Sequence, residues 1–225
     1  MAEALIFDVF GTCVDWRTSV ARHVTEALSG IDPLAFADAW RGEYQPAMER
    51  IRTGSRGYVP LDDLHLENLR ITLARFGAEC SDPEDLNRAW ERLTPWPDTV
   101  PGLVAQKKHR IIAPCSNGSI ALMTRLAKHA GLPWDCILGA DIARDYKPKA
   151  SVYLASAAAL RLDPSEVVMV AAHNDDLFAA RAAGLKTAFV ARPTEHGPEQ
   201  TTDLEPASNW DWIANDFQDL AEQMT

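Results

Sequence analysis

Apolar residues cluster in five short runs, at residues 5–10, 110–115, 136–138, 167–172 and 187–190, all rich in Ile, Val, Leu or Phe. Short apolar runs of this length, bounded by turn residues, predict strands covered on both faces. Between the later runs the spacing becomes helical. Residues 120–130 stop at Gly131, residues 149–161 start behind Pro148, and residues 177–183 stop at Gly184. Glycine suits the position after a last helical turn, and proline suits a first one. Strands alternating with helices predict an α/β fold, a Rossmann-like parallel sheet with helices on both faces.

The interval 16–97 breaks this rhythm. Amphipathic helices are predicted at about 19–28, 33–52, 61–76 and 83–93, with no convincing strand among them. Pro95, Pro97 and Pro101 stiffen the return. The expected organisation is a core made of residues 1–15 and 98–225, and a helical cap domain of residues 16–97. An insertion behind the first strand lies above the strand ends, where open parallel sheets bind ligands.

Charge narrows the function. With 22 Lys and Arg against 32 Asp and Glu the net charge is −10, which argues against a nucleic-acid partner. No apolar run approaches the length of a membrane span, and the start MAEALIFDVFG lacks the pattern of a secretion signal. A cytoplasmic protein is the expectation. Cys13, Cys80, Cys115 and Cys136 are too scattered to suggest a disulfide framework or a zinc knuckle. No G-x-S-x-G elbow, P-loop or G-x-G-x-x-G occurs, against serine hydrolase, nucleoside triphosphatase and dinucleotide chemistry.

Parallel strands would bring the polar residues beyond their C-terminal ends to one crevice. These are Asp8 with Thr12, Ser116 with Asn117, Lys147, and His173 with Asp175 and Asp176. Each alone reads as a turn, cap or surface residue. Four such positions at successive strand ends point instead to a site.

In this order and spacing they resemble the haloacid dehalogenase superfamily. Asp8-Val9-Phe10-Gly11-Thr12 matches its D-x-x-G-T motif, the strand ending in Ser116-Asn117 its second, Lys147-Pro148 its third, and Val167 to Gly184 its fourth. The phosphatase branch places a second Asp two residues after the nucleophile and a Gly-Asp pair in the fourth motif. Here Phe10 and Ala171-Ala172 stand there. The resemblance is therefore to the 2-haloacid dehalogenases, with no metal and no cofactor. Trp40-Arg41 resembles a cap segment of that branch whose Arg cradles the departing halide.

What the resemblance implies is a reaction with short 2-haloacids. Asp8 is the expected nucleophile, forming an ester that water hydrolyses. Lys147 keeps its carboxylate ionised, lowering its pKa by roughly 1–3 units. Thr12 orients Asp8, and Tyr153 steadies the lysine. Asp176 is the candidate base or base-orienting residue, and His173 binds halide or assists hydrolysis. Arg41, Asn117, Ser116, Phe10, Trp40 and Asn174 are the candidate substrate and halide contacts. Homodimerisation is expected from the resemblance alone.

The fourth motif departs from that branch. Its usual Ser-Ser-Asn-Ala-Trp-Asp is replaced by Ala171-Ala172-His173-Asn174-Asp175-Asp176, and only the last residue agrees. The imidazole suggests that fluoroacetate is a substrate beside chloro- and bromoacetate. Two other readings stay open: a phosphatase or phosphonate hydrolase using Asp8, with metal on Asp175 or Asp176, and a catalytically silent ligand-binding protein.

Overall fold

The computed structural model describes residues 2–225. In chain order, β1 (Ala4–Phe7) is followed by β2 (Val14–Asp15), α1 (Trp16–Ala27), α2 (Pro33–Gly42), α3 (Tyr44–Arg52), α4 (Leu61–Phe76) and α5 (Pro83–Asn87). Then come β3 (Thr94–Pro95), α6 (Thr99–Lys107), β4 (Ile111–Ser116), α7 (Ile120–Ala130), β5 (Leu138–Gly139), α8 (Ala140–Ala143) and α9 (Ala150–Ala159). The chain closes with β6 (Val167–Ala171), α10 (Asn174–Ala182), β7 (Lys186–Val190), β8 (Trp212–Ala214) and α11 (Phe217–Gln223). Six strands form one parallel sheet in the order β5-β4-β1-β6-β7-β8.

The strand sequences account for this order. The four residues of β1, Ala-Leu-Ile-Phe, are all buried, as a central strand requires. Leu5 and Phe7 share one apolar cluster with Ile112, Val168 and Val170, on the side of α6, α7 and α11. Ala4 and Ile6 face the other way, with Ala113, Cys115 and Met169, against Val152 and Tyr153 of α9 and Leu177 and Ala180 of α10. Alternating side chains thus feed two cores from one sheet, consistent with the period of two along a strand.

Every expected sheet strand is present, with limits that differ by one to three residues. β1 ends at Phe7, not Phe10. The Asp8 amide donates to the Val170 carbonyl at 2.9 Å, and the chain then turns at Gly11, whose φ is +89°. The expected helix 33–52 is two helices. Pro46 cannot donate to the Gly42 carbonyl, and its ring would crowd that group, so α2 stops at Gly42 and Pro46 sits in the first turn of α3. Pro148 is not a first helical residue, because α9 begins at Ala150 behind Lys149. Helix α6 and strand β8 had no sequence forecast.

The elements between Trp16 and Glu91 are all helical, as expected, but Thr94–Pro95 is a strand where none was expected: it pairs antiparallel with β2, Val14 with Pro95 and Asp15 with Thr94, and ties the two ends of the helical segment together. Its interior is aromatic: Trp16, Phe36, Trp40 and Trp90 are fully buried and meet at ring-centroid distances of 5.5–6.4 Å. Among the described residues no helix is long and apolar enough to cross a membrane.

Candidate active site

The C-terminal ends of β1, β4 and β6 open into a cleft of about 1010 Å³, roofed by α2 and α3. Asp8, Phe10, Arg41, Tyr44, Asn117, Lys147 and His173 line it. The strand-end residues therefore converge as the parallel sheet predicts.

Asp8 is nearly buried, and three groups hold it. Lys147 Nζ lies 2.8 Å from Oδ1, Thr12 Oγ1 donates to Oδ2 at 2.8 Å, and His173 Nδ1 is 3.2 Å from Oδ2. Thr12 is fixed in turn by the Ala172 amide, which donates to its oxygen at 2.9 Å. Lys147 Nζ also meets Asp176 Oδ2 at 2.5 Å, and Tyr153 donates to the other Asp176 oxygen. On its far side His173 places Nε2 2.8 Å from Glu195 Oε2. Glu195, 2% exposed, accepts from Trp16 Nε1 at 2.9 Å through its second oxygen. A run of alternating charges crosses the floor of the cleft: Asp176, Lys147, Asp8, His173, Glu195.

These neighbours set the protonation states. Burial pushes the Asp8 carboxyl up, but the Lys147 ammonium and then His173 outweigh it and hold Asp8 far below the usual carboxylate range. Burial works against the Lys147 ammonium, yet Asp176 and Asp8 together raise it well above the usual lysine value. Burial likewise disfavours a charged His173, and Glu195 and Asp8 reverse that, so its pKa lies well above the ordinary imidazole range. Burial would raise Glu195; its imidazolium partner brings it below the usual value. Asp176 goes the other way, raised by burial and by repulsion from Asp8 despite Lys147.

Above Asp8, the Arg41 guanidinium carbon lies 3.8 Å from the centroid of the Tyr44 ring. Asn117 turns its carbonyl oxygen to the Lys147 backbone amide at 2.8 Å, leaving its NH₂ group to donate elsewhere. The arrangement combines an ionised carboxylate, held without a proton, with cations and an amide around an open volume.

A family model described as haloacid dehalogenase-like hydrolase matches residues 2–184. The chain belongs to that family. The (S)-2-haloacid dehalogenase of Xanthobacter autotrophicus is 30% identical over 198 residues, covering 85% of this chain and 76% of that protein. A solved defluorinating L-2-haloacid dehalogenase superposes with a TM-score of 0.95 at 49% identity, covering 99% of this chain and 94% of that one. A second L-2-haloacid dehalogenase gives 0.96 at 45% identity over 100% and 99% of the two chains.

Other members of the haloacid dehalogenase superfamily work with a divalent cation, and the residues here do not fit one. The position two after Asp8 carries Phe10, whose ring packs edge-on to Trp90 at 5.7 Å. Both Asp8 oxygens already face cationic or hydroxyl donors. A hard cation needs about six oxygen ligands. Among the described residues no three side chains form a group that could hold a metal ion.

Four expected contacts are placed differently in this hydrolase. Trp40 is buried in the insertion and donates from Nε1 to the His65 carbonyl at 2.9 Å, away from the cleft. Ser116 is fully buried and accepts from the Gly118 amide at 3.1 Å, bracing the turn after β4. The Asn174 side chain is spent on the C-terminal loop, donating to Asp203 and Glu205 and accepting from Ala207 and Trp210. Tyr153 holds Asp176 and so reaches the lysine only through that carboxylate. Glu195 and Tyr44 were not among the sequence candidates.

Proposed function

We propose that the chain hydrolyses short 2-haloacids to 2-hydroxy acids and halide through an ester on Asp8. The observation that carries this is the Asp8 carboxylate, buried, unprotonated and 2.8 Å from the Lys147 ammonium, with no seat for a cation beside it. Its ionised oxygen attacks C2, and the carbon–halogen electron pair leaves with the halide. Negative charge grows on the halide only in the transition state, so donors already aimed there lower the barrier more than they stabilise the bound acid. Arg41 and Asn117 are those donors. The relatives' preference for (S) acids supports the same preference here.

Single turnover in heavy-oxygen water tests the reading. The label is expected in the Asp8 side chain, and Asp8→Asn is expected to abolish halide release. Label going directly into product would overturn it. Phosphomonoester cleavage that needs magnesium and disappears with chelator would support the phosphatase reading instead.

Fluoroacetate belongs to this proposal as a further substrate, supported by the defluorinating relative. Both His173 nitrogens face carboxylates, so the imidazole acts on fluoride through its positive charge and not as a direct donor. Ion-selective halide assays on fluoro-, chloro- and bromoacetate decide it; activity on bromoacetate with none on fluoroacetate removes the claim. A homodimer, carried from the resemblance, is tested by sedimentation.

A further inference from the structure

We infer that His173, held by Glu195, is the base that activates water against the Asp8 ester, and that loss of the Asp8 charge in the first step is what turns it into a base. The inference rests on the ester mechanism proposed above and adds to it Glu195, which the strand-end motifs do not contain.

Water attack needs a group beside the ester carbon with a free lone pair. Asp176 accepts from Lys147 on one oxygen and from Tyr153 on the other, and it meets Asp8 only through the shared Lys147 ammonium. His173 has the position, since Nδ1 is 3.2 Å from Asp8 Oδ2. It follows β6 as the N-cap residue of α10 without capping that helix through its side chain, so the ring is free to face the cleft. Glu195 fixes the ring from behind: it accepts from Nε2, which places any lone pair of the neutral imidazole on Nδ1, toward Asp8. Glu195 itself is pinned by Trp16 and lies directly over Gly11, where a Cβ would come within 2.0 Å of its Oε1.

The charges around His173 give the order of events. Asp8 comes from the end of β1, Lys147 from the loop before α9, Asp175 and Asp176 from α10, Glu195 and His196 from the loop after β7, and Arg41 from α2. In the resting state Asp8 and Glu195 both favour the imidazolium. Ester formation neutralises Asp8 while Lys147 and Arg41 remain. The imidazolium then loses one of its two anions and releases its Nδ1 proton to solvent. Neutral His173 takes a proton from water as the water oxygen bonds to Asp8 Cγ. The tetrahedral adduct collapses by breaking the bond from Cγ to the former Asp8 oxygen now on C2, which leaves with the remaining water proton as the hydroxyl of the product. Asp8 returns as a carboxylate carrying the water oxygen, and His173 ends protonated. The sum is haloacid plus water to hydroxy acid, halide and one proton.

Rapid-quench kinetics with (S)-2-chloropropionate, followed by halide release and intact mass, separate the two steps. His173→Gln and Glu195→Gln are expected to give a halide burst equal to the enzyme present, with the ester then accumulating. Hydrolysis should slow on the order of 10²-fold. Glu195→Asp should restore part of the second step. In Glu195→Gln the acid limb of ester hydrolysis should also move down by roughly 1–3 pH units, because one anion fewer holds the imidazolium; a merely structural role would lower the rate without moving the limb. In the unmodified enzyme, acidification should slow ester hydrolysis while the burst persists, so the idea stays falsifiable if a variant fails to fold. Parallel slowing of burst and hydrolysis with no ester, or unchanged hydrolysis in both variants, overturns it. A wild-type enzyme that releases no halide from any 2-haloacid overturns the proposed function itself.

Discussion

Arg192 and Asp98 form a two-pronged ion pair, Nη1 to Oδ1 at 2.9 Å and Nη2 to Oδ2 at 2.7 Å, at the seam where the insertion returns to the sheet. Arg192 also donates from Nε to the Thr12 carbonyl at 2.8 Å, and the Phe217 amide donates to Asp98. One side chain thereby ties the motif carrying Asp8 to the loop carrying Glu195. Both partners are largely withdrawn from solvent, so removing one leaves the other charge uncompensated. Arg192→Met is expected to cost about 3 kcal/mol in urea unfolding. It should also slow ester hydrolysis more than the halide burst, because Glu195 loses its anchor. A variant as stable as the wild type would show the pair to be energetically idle.

Lys147 predicts a pH signature for the first step. Asp8 is held far below the ordinary carboxylate range, and Lys147 stands well above the ordinary lysine range, so neither titrates near neutrality. The halide burst should therefore be flat between about pH 5 and 9. In Lys147→Met the burial that opposes ionisation loses its largest counterweight. The Asp8 pKa rises, and the burst should acquire an acid limb that moves toward neutral pH, with a lower plateau. Burst rates measured from pH 5 to 9 on both proteins check this, and a flat profile in the variant would refute it.

The legible part of this molecule is the part that a strand end fixes. Asp8, Thr12 and His173 meet because the parallel sheet delivers the ends of β1 and β6 to one edge, and the loop between α8 and α9 brings Lys147 to them. Side-chain direction was not legible. Trp40 neighbours Arg41 in sequence, but on a helix adjacent residues point about 100° apart, so one reaches the aromatic interior and the other the cleft. Ser116 and Asn174 carry the right chemistry, yet their groups are consumed by a local turn and by the C-terminal loop. Glu195 lies in an irregular stretch after β7 and finds its partner only through tertiary structure. Strand β8 was hidden by its length of three residues and its acidic surroundings.

Gly11 tests the close approach of that loop. Its φ of +89° lies where side-chained residues are strained, and an added Cβ would meet all three terminal Glu195 carboxylate atoms within 2.5 Å. Gly11→Ala should destabilise the fold by about 1 kcal/mol or more. It should also displace Glu195, so the ester accumulates while the burst survives. Equal loss in both steps would mean that the turn carrying Asp8 has moved instead.

His65 predicts how stability responds to acid. The ring is 1% exposed, stacked on Trp90 at 4.4 Å, and neither nitrogen has a hydrogen-bond partner. Burial, with the nearby Arg41 charge, depresses its pKa well below the ordinary value. As pH falls below about 6.5 the unfolded chain therefore binds a proton that the folded one refuses, and stability drops. His23, also depressed by burial, adds a slope of the same sign. His173 has the opposite shift; its stabilisation is complete below that pH and contributes no slope there. Urea midpoints at pH 7 and 5 should fall less in His65→Leu than in the wild type. The same fall in both would show that His65 does not titrate in this window.

Arg41 offers a test of where the halide leaves. Its guanidinium spreads over the Tyr44 ring at 3.8 Å, with Trp16 at 5.6 Å, and its Nε is buried without a partner. A planar, delocalised cation can stack on an aromatic face and still direct its remaining N–H groups into the cleft. An ammonium at the same position keeps the charge but loses both the stacking plane and the fork. If Arg41 stabilises the departing halide, Arg41→Lys should slow the burst on the order of 10²–10³-fold. The loss should be greatest for fluoride, the leaving group on which charge is most concentrated, and ester hydrolysis should change much less because no halide is bound by then. Burst rates for fluoro-, chloro- and bromoacetate give the comparison. Equal losses for all three would assign Arg41 to the substrate carboxylate, which is the same in each acid.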